Sequence, residues 1–277
     1  MTKFQRFPVL LFAVLSCCAC TSSFKPFKFA HLTDTQIGFF DNSQGYVHSD
    51  SLFRAAAGCV NSEGTDLVFI TGDLLDNPTD SLQNALFEAG VARMDAPVWL
   101  VPGNHDYGKA WSEEVRDRYV ALRGYERFSF KHKKCAFIGL DSNCIMEDAA
   151  EEEAVQKEWL RNELSKARKC RYIFVFFHCP VFRKDIGEPH DYSNFPEAKR
   201  EEYISLFKEY GVSAAFTGHT HSDYDFEYEG IRFVTANPVS NALGHGYPGY
   251  NIVDVGKDGF DVRSCRTPGF DLEKCRF

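Results

Sequence analysis

From Phe27 onward, short apolar runs alternate with polar, Gly-rich turns and with amphipathic stretches. The runs KFAHLT, DLVFIT, PVWLVP, CAFIGLD, RYIFVFFH, VSAAFTG and IRFVTAN have strand length and are apolar almost throughout. Runs of this kind predict strands in a sheet covered on both faces. Helical patterns lie between several of them. In the stretch that begins at Glu151, Val155, Trp159, Leu160, Leu164 and Ala167 recur on one face. Glu151 to Glu153 occupy its first turn and Lys166, Arg168 and Lys169 its last, as the helix dipole favours. SLQNALFEAGVAR and AKREEYISLFKEY read the same way.

The early part is therefore βαβαβ, an α/β pattern. Later strands lie closer together. YDFEYEGIRFVTA turns at Glu229-Gly230, and YNIVDVGKDGFDVRSC turns around Lys257-Asp258-Gly259. Both are hairpin signals, so mixed sheets are expected. No repeat, low-complexity segment or linker divides residues 27–277, which read as one domain.

The N-terminal stretch reads differently. Lys3 and Arg6 precede the apolar run PVLLFAVLS, which is too short to span a bilayer, and CCAC and TSS follow. This order is that of an export signal over residues 1–20, with 21–26 a short linker. Ser16 before Cys17 and Ala19 before Cys20 resemble a bacterial lipoprotein cleavage box, so a membrane anchor through lipid on one of these cysteines is expected. A plain cleaved signal peptide is the simpler alternative. Seven cysteines remain beyond it: Cys59, Cys135, Cys144, Cys170, Cys179, Cys265 and Cys275. An odd number leaves at least one unpaired. Cys265 and Cys275 suit a clip on the C-terminal tail, and most of the others sit in apolar runs as buried thiols do. No CxxC occurs past the signal, which argues against a thiolate zinc site.

Composition is that of a soluble globular chain, with 44% hydrophobic and 25% charged residues. The net charge of −8, with no basic run, disfavours a nucleic-acid partner. An anionic small substrate is still accommodated if a metal supplies local positive charge.

The chemistry collects where the apolar runs stop. FAHLT ends in Asp34, LVFIT in Gly72-Asp73, VWLVP in Gly103-Asn104-His105-Asp106, YIFVFF in His178, and VSAAFT in Gly218-His219-Thr220-His221. Each piece alone is ordinary: Gly-Asp is common in turns, and His-x-His is as often solvated as ligating. In an α/β sheet, however, ligand sites gather at the carboxyl ends of strands, and five such ends in one chain point to one cluster. Carboxylate, amide and imidazole suit Mn, Fe or Zn without thiolate. A carboxylate that bridges two such ions, divalent or trivalent, would make a centre that activates water and stabilises phosphoryl transfer.

These blocks, in this order, resemble the calcineurin-like metallophosphoesterases, whose pattern is Asp-x-His, Gly-Asp, Gly-Asn-His-Asp/Glu, a His, and Gly-His-x-His. The blocks span Asp34 to His221. The resemblance implies a four-layer α/β/β/α sandwich and a dinuclear site that hydrolyses phosphate esters. It would place Asp34, Asp73 and His221 on one metal, with Asp73 bridging to a second completed by Asn104, His178 and His219. His105 would be a catalytic acid held by Asp106, and a carboxylate would indeed orient an imidazole and favour its protonated form.

Gln36 stands where most members have His. Its carbonyl is a neutral oxygen donor, weaker than imidazole. A branch that includes exported bacterial phosphoesterases and a eukaryotic Ser/Thr phosphatase also carries Asp-x-Gln, so Gln36 is expected to be a variant ligand. The alternative is a surface-anchored metal-binding protein of the same fold with little activity. Monoester and diester substrates are not separated by these residues. Among other candidates, His31 is expected to be buried and hydrogen-bonded, His245 and Tyr107 are candidates for substrate contact, and His190 and Asp191 lie in a loop that would cover the site or stand solvated. His48 and His132 read as surface residues.

The N-terminal reading has a direct check. In a bacterial host the mature protein should fractionate with membranes, and a Cys→Ser change at the modified position should release or misprocess it. An intact N-terminus on a soluble cytoplasmic protein would refute export.

Overall fold

The computed structural model describes residues 23–39, 46–108, 110–244 and 246–269. The signal segment, His245 and Cys275 lie outside these, as does the proposed Cys265–Cys275 clip. The order is β1 (Phe27–Leu32), α1 (Val47–Ser62), β2 (Leu67–Thr71), α2 (Ser81–Val91), β3 (Val98–Val101), α3 (Asn104–Tyr107) and α4 (Glu113–Arg123). Then follow β4 (Phe128–His132), β5 (Cys135–Gly139), α5 (Asn143–Met146), α6 (Ala150–Ala167), β6 (Ile173–Phe176) and α7 (Glu197–Tyr210). The chain ends with β7 (Ala214–Thr217), β8 (Tyr224–Tyr228), β9 (Ile231–Thr235), β10 (Gly249–Val255) and β11 (Phe260–Arg266).

Two mixed sheets form. The first runs β11-β10-β1-β2-β3 and the second β4-β5-β6-β7-β9-β8. Strands β1, β2 and β3 are parallel, as the βαβαβ pattern requires, and β10 and β11 add antiparallel. In the second sheet β5, β6, β7 and β9 are parallel, with β4 and β8 antiparallel at the edges. The β8–β9 hairpin turns at Glu229-Gly230, both at positive φ, as expected. Strand β4 has no long apolar run. It is an edge strand of alternating burial, tied to β5 through Lys133 and Lys134, also at positive φ.

Strand alternation sorts the side chains into layers. On β1, Phe27 and Phe29 face the other sheet, while Ala30 and Leu32 face α1 and α2. On β6, Phe174 and Phe176 face inward between the sheets, while Ile173 and Val175 face α6 and α7. The layer order is thus helices, sheet, sheet, helices. An aromatic slab joins the sheets: Phe69 stacks on Phe176 with centroids 3.9 Å apart, and Phe29 sits edge-on to Phe69 at 5.4 Å. Aromatic pairs of this kind add to the energy of area burial.

Helix α6 corrects one expectation. Its buried positions are Glu153, Gln156, Leu160, Leu164 and Ala167, whereas Val155 is 56% exposed. At 100° per residue Val155 lies about 140° from Leu160, off the stripe. The buried polar positions are occupied because they have partners. Glu153 accepts from Lys199 Nζ at 2.6 Å, and Gln156 bonds both the N–H and the C=O of Asp141 at 2.8 Å. Cys135, Cys144 and Cys179 are buried thiols and Cys59, Cys170 and Cys265 partly buried ones; all six are unpaired. His132 is half-buried rather than a surface residue, because its Nε2 lies 2.7 Å from Asp66 and its ring meets Phe27 edge-on. His48 is exposed, as expected. Among the described residues no helix is long and apolar enough to cross a membrane.

The slab yields a stability test. Phe69→Ala should lower the unfolding free energy by about 3–5 kcal/mol, measured by denaturant titration, because a buried ring leaves a cavity between two rigid sheets. A loss below about 1 kcal/mol would mean that the sheets do not rely on this layer.

Candidate metal centre

The loops after β1 and β2 stay hydrogen-bonded beyond the strands. Asp34 N donates to Gly72 O (3.0 Å), Gln36 N to Asp73 O (2.8 Å) and Ile37 N to Leu74 O (3.2 Å). This parallel extension carries Asp34 and Gln36 alongside Asp73. The loop after β6 is joined to that after β7 by Gly218 N to His178 O (2.9 Å). All six of Asp34, Gln36, Asp73, His178, His219 and His221 are buried.

The backbone at these residues is unusual. Asp34, Gln36, Asp73, His219 and His221 all have φ between 32° and 71°, the left-handed region that non-Gly residues seldom adopt. Such strain persists only where the surroundings over-determine it, and it clusters at functional sites. Two glycines explain how tightly the loops meet. A Cβ on Gly103 would lie 2.2 Å from Asp73 N and Oδ1, and one on Gly218 would lie 1.7 Å from Thr33 Oγ1 and 2.7 Å from Asp34 Oδ2.

The three histidines share one arrangement. His178 Nδ1 donates to Thr71 O (2.7 Å), His219 Nε2 to Tyr192 O (2.7 Å), and His221 Nδ1 to Asn241 O. Each outward nitrogen is thereby committed as a donor, so that in the neutral imidazole each inward nitrogen keeps its lone pair. His178 Nε2 lies 3.1 Å from His219 Nδ1, 3.3 Å from Asp73 Oδ1 and 3.2 Å from Asn104 Oδ1. His221 Nε2 lies 3.3 Å from Asp34 Oδ1. Asp34 Oδ1 and Gln36 Oε1 are buried without a hydrogen-bond partner among the described residues. Asp73 faces both groups: Oδ1 lies beside His178, while Oδ2 accepts from Gln36 Nε2 at 3.3 Å. Among the described residues, Asp73, His178 and His219 bring ligand atoms within 4.8 Å of one another, a candidate metal-ligand cluster. Carboxylate, amide and imidazole groups converging on one buried pocket fit a cation, and imidazoles that donate their far N–H to carbonyls are oriented as metal ligands are.

The electrostatics agree. Burial opposes charge on Asp34 and Asp73, yet the neighbouring histidines hold both carboxyls below their ordinary range. Burial likewise opposes charge on His178, but Asp73 and Asp34 raise it to about 9. Burial and the adjacent His178 lower His219 to about 4. The pocket thus draws positive charge and has too few protons to share. A larger hollow of about 550 Å³ lies at the other end of β1, by Phe27, Lys28 and Asp254, and holds none of these groups.

A family model of calcineurin-like phosphoesterases matches residues 27–223. The chain belongs to that family. The serine/threonine-protein phosphatase CPPED1 of Bos taurus is 34% identical over 182 residues, 64% of this chain and 57% of the relative. A probable glycerophosphodiester phosphodiesterase GpdQ of Arcobacter nitrofigilis is 29% identical over 159 residues, 56% of each chain. The chain therefore spans a little over half the length of these curated relatives. A dimetal phosphatase from Danio rerio shares the fold with a TM-score of 0.70 at 15% identity, over 88% of this chain and 97% of that one.

Against this calcineurin-like frame, one expected pairing fails. Asp106 does not hold His105. Its Oδ2 accepts from Gly103 N (2.8 Å) and its Oδ1 from Leu74 N (2.9 Å) and Leu75 N (3.4 Å). As the third residue of a short helix it points back to the helix start, which is a capping position. Its work is to fasten the Gly-Asn-His-Asp loop to the Gly-Asp loop. The carboxylate beside His105 Nδ1 is Asp76, at 3.4 Å. That contact, against partial burial, raises His105 to about 9. Asp76 is visible in the sequence as the second acid of GDLLDN, but spacing alone does not say which acid turns inward.

The remaining candidates also sort. His31 is buried between the sheets with Nε2 2.9 Å from Thr71 Oγ1, as expected, and burial lowers it to about 3. Tyr107 does not contact substrate, because its hydroxyl is buried and donates to Asp141 Oδ2 at 2.6 Å. His190 bonds Asn194 O and Asp191 pairs with Arg183, and both line a recess beside the cluster. Their loop is tied down: Glu188 accepts from Arg183 N (2.9 Å) and Asn194 Nδ2 (2.7 Å), and buried Arg200 donates to Phe195 O (2.9 Å) and Ile186 O (2.8 Å). The residue it delivers is Tyr192, whose hydroxyl accepts from Asn104 Nδ2 and whose carbonyl accepts from His219. No sequence pattern marks Tyr192.

The reassignment of Asp106 is testable. Asp106→Ala leaves two to three buried N–H groups unsatisfied and should destabilise the protein by roughly 2–4 kcal/mol while lowering metal retention. If stability stays within about 0.5 kcal/mol of the parent and only turnover falls, Asp106 is acting on His105 after all.

Proposed function

We propose that the chain is a metal-dependent hydrolase of phosphate esters. The observation that carries this reading is the set of three buried imidazoles whose outward nitrogens are all committed to backbone carbonyls, so that their lone pairs meet Asp34, Asp73 and Asn104. Asp73, Asn104, His178 and His219 would hold one transition-metal ion. Asp34, Gln36, His221 and the second oxygen of Asp73 would hold the other. When bound, such a pair supplies the positive charge that polarises a phosphoryl group and lowers the pKa of water to near neutrality.

The chain's own residues do the rest. His105 stands at the mouth of the cluster, its backbone N–H fixed on Asp73 Oδ1 at 2.9 Å and its ring held by Asp76. It arrives protonated and donates its proton to the leaving oxygen. Asp76 keeps that proton in place and orients the ring. Asn104 turns its carbonyl inward because Tyr192 takes up its amide N–H. The half-buried position of His105 suits an organic leaving group that departs to solvent. The relatives are named for both phosphatase and phosphodiesterase activity, and the residues described serve either.

The test combines metal content with kinetics. After reconstitution with Mn, Fe or Zn, the mature protein should carry about two ions per chain and turn over p-nitrophenyl phosphate or its bis ester. His105→Ala should keep the metals and lose about 10²–10⁴-fold in rate, most on esters with poor leaving groups. Asp76→Asn should fall in the same direction by less, and the double variant should be no worse than His105→Ala, since both act through one proton. Absence of bound metal, or loss of metal in His105→Ala, contradicts these roles.

A further inference from the structure

Two recesses open beside the cluster and share a wall. The first, about 260 Å³, reaches Asp76 and His105. The second, about 190 Å³, reaches Met146 and His190. Asn104, Glu147 and Tyr192 line both. Among the described residues neither recess is lined by Lys or Arg. Three carboxylates border them, and two are engaged: Asp76 with His105, and Asp191 with Arg183 Nη2 at 2.8 Å. Glu147, just past the end of α5, is exposed, and its carboxylate has no hydrogen-bond or ion-pair partner among the described residues. Tyr192 tilts one side of its ring against His219, at 4.6 Å, yet is 65% exposed. A large exposed aromatic ring beside an unengaged carboxylate is a poor surface for an anion and a good one for an ammonium group, which gains from both the charge and the ring face.

We propose that Glu147 and the Tyr192 ring form a cation subsite, which makes the centre selective for phosphate esters whose alcohol carries an ammonium group. The inference rests on the phosphoesterase reading above. The phosphoryl group sits against the cluster, and the ammonium-bearing arm lies along the shared wall. An arm with further negative charge meets Glu147 along that wall, where no Lys or Arg among the described residues offsets it. Glu147 is solvated, so the preference is moderate rather than absolute.

The probe pair is p-nitrophenyl phosphocholine and its carbon isostere, p-nitrophenyl neohexyl phosphate, which differ only in the ammonium nitrogen. With the metal-loaded chain, kcat/KM should favour the choline ester by about tenfold. Glu147→Gln and Tyr192→Leu should each cut that ratio to about two- to threefold, whatever either does to the absolute rate, because the ratio is internal to each variant. A parental ratio near one, or an unchanged ratio in Glu147→Gln, overturns the subsite while turnover of p-nitrophenyl phosphate leaves the phosphoesterase reading standing. If metal-loaded parent turns over none of the three esters, the phosphoesterase reading falls and the subsite with it.

Discussion

The arrangement on which the rest depends is a set of buried lone pairs facing one another. Two carboxylates, the Gln36 amide and three imidazoles are withdrawn from water at the carboxyl ends of β1, β2, β6 and β7, with the half-buried Asn104 amide beside them after β3. Burying such groups without donors is unfavourable by several kcal/mol. It is tolerated because the backbone leaves no alternative. Each histidine is locked by a carbonyl on its outer nitrogen, and each aspartate by loop hydrogen bonds that continue the parallel sheet past its strands. The positive φ values at five of these residues show where the strain is stored. A cation relieves the repulsion, and the apo cluster should be the least comfortable part of an otherwise well-packed molecule.

Rigidity comes from the layer between the sheets. The strands that end at the cluster are the same ones that carry Phe29, Phe69, Phe174, Phe176 and Phe216. His178 continues the inward row of Phe174 and Phe176, and His31 and Thr71 continue the rows of β1 and β2 beneath it. The transition from stacked rings to hydrogen-bonded polar groups to the candidate metal ligands occurs within one strand length. A shift in the aromatic slab would therefore move the ligands directly.

Most of the fold was legible because buried parallel strands announce themselves as unbroken apolar runs, and the site was legible because those runs end in chemistry. What escaped has physical causes. Edge strand β4, FSFKH, alternates and half faces solvent, so it lacks that signature. Val155 looked like a core residue on α6, but Glu153 and Gln156 displaced it from the buried stripe by finding partners on other elements. Asp106 was adjacent to His105 in sequence, yet a residue in the first turn of a helix points to the helix start, and the carboxylate at His105 came from another loop. Tyr192 reaches the recesses from the long β6–α7 connection and Glu147 from the short turn between α5 and α6, where spacing carries no information about direction.

Gln36 shows how the centre accommodates a departure from the commoner histidine. An amide offers a donor and an acceptor on one planar group, and here the two are divided: Nε2 binds Asp73 Oδ2, and Oε1 is buried without a hydrogen-bond partner among the described residues. An imidazole at the same place would have to send its outer N–H to a carbonyl, as the other three do. Gln36 instead anchors itself on the carboxylate it sits beside. In the proposed centre that would remove some negative charge from the Asp73 oxygen assigned to the second ion and put a neutral oxygen where a nitrogen ligand is commoner. Both changes would weaken that position relative to the one proposed for His178, His219 and Asn104. On the proposed assignment the two halves of the centre would be unequal, with the tighter half beside His105 and Tyr192 and the weaker half beneath Gln36.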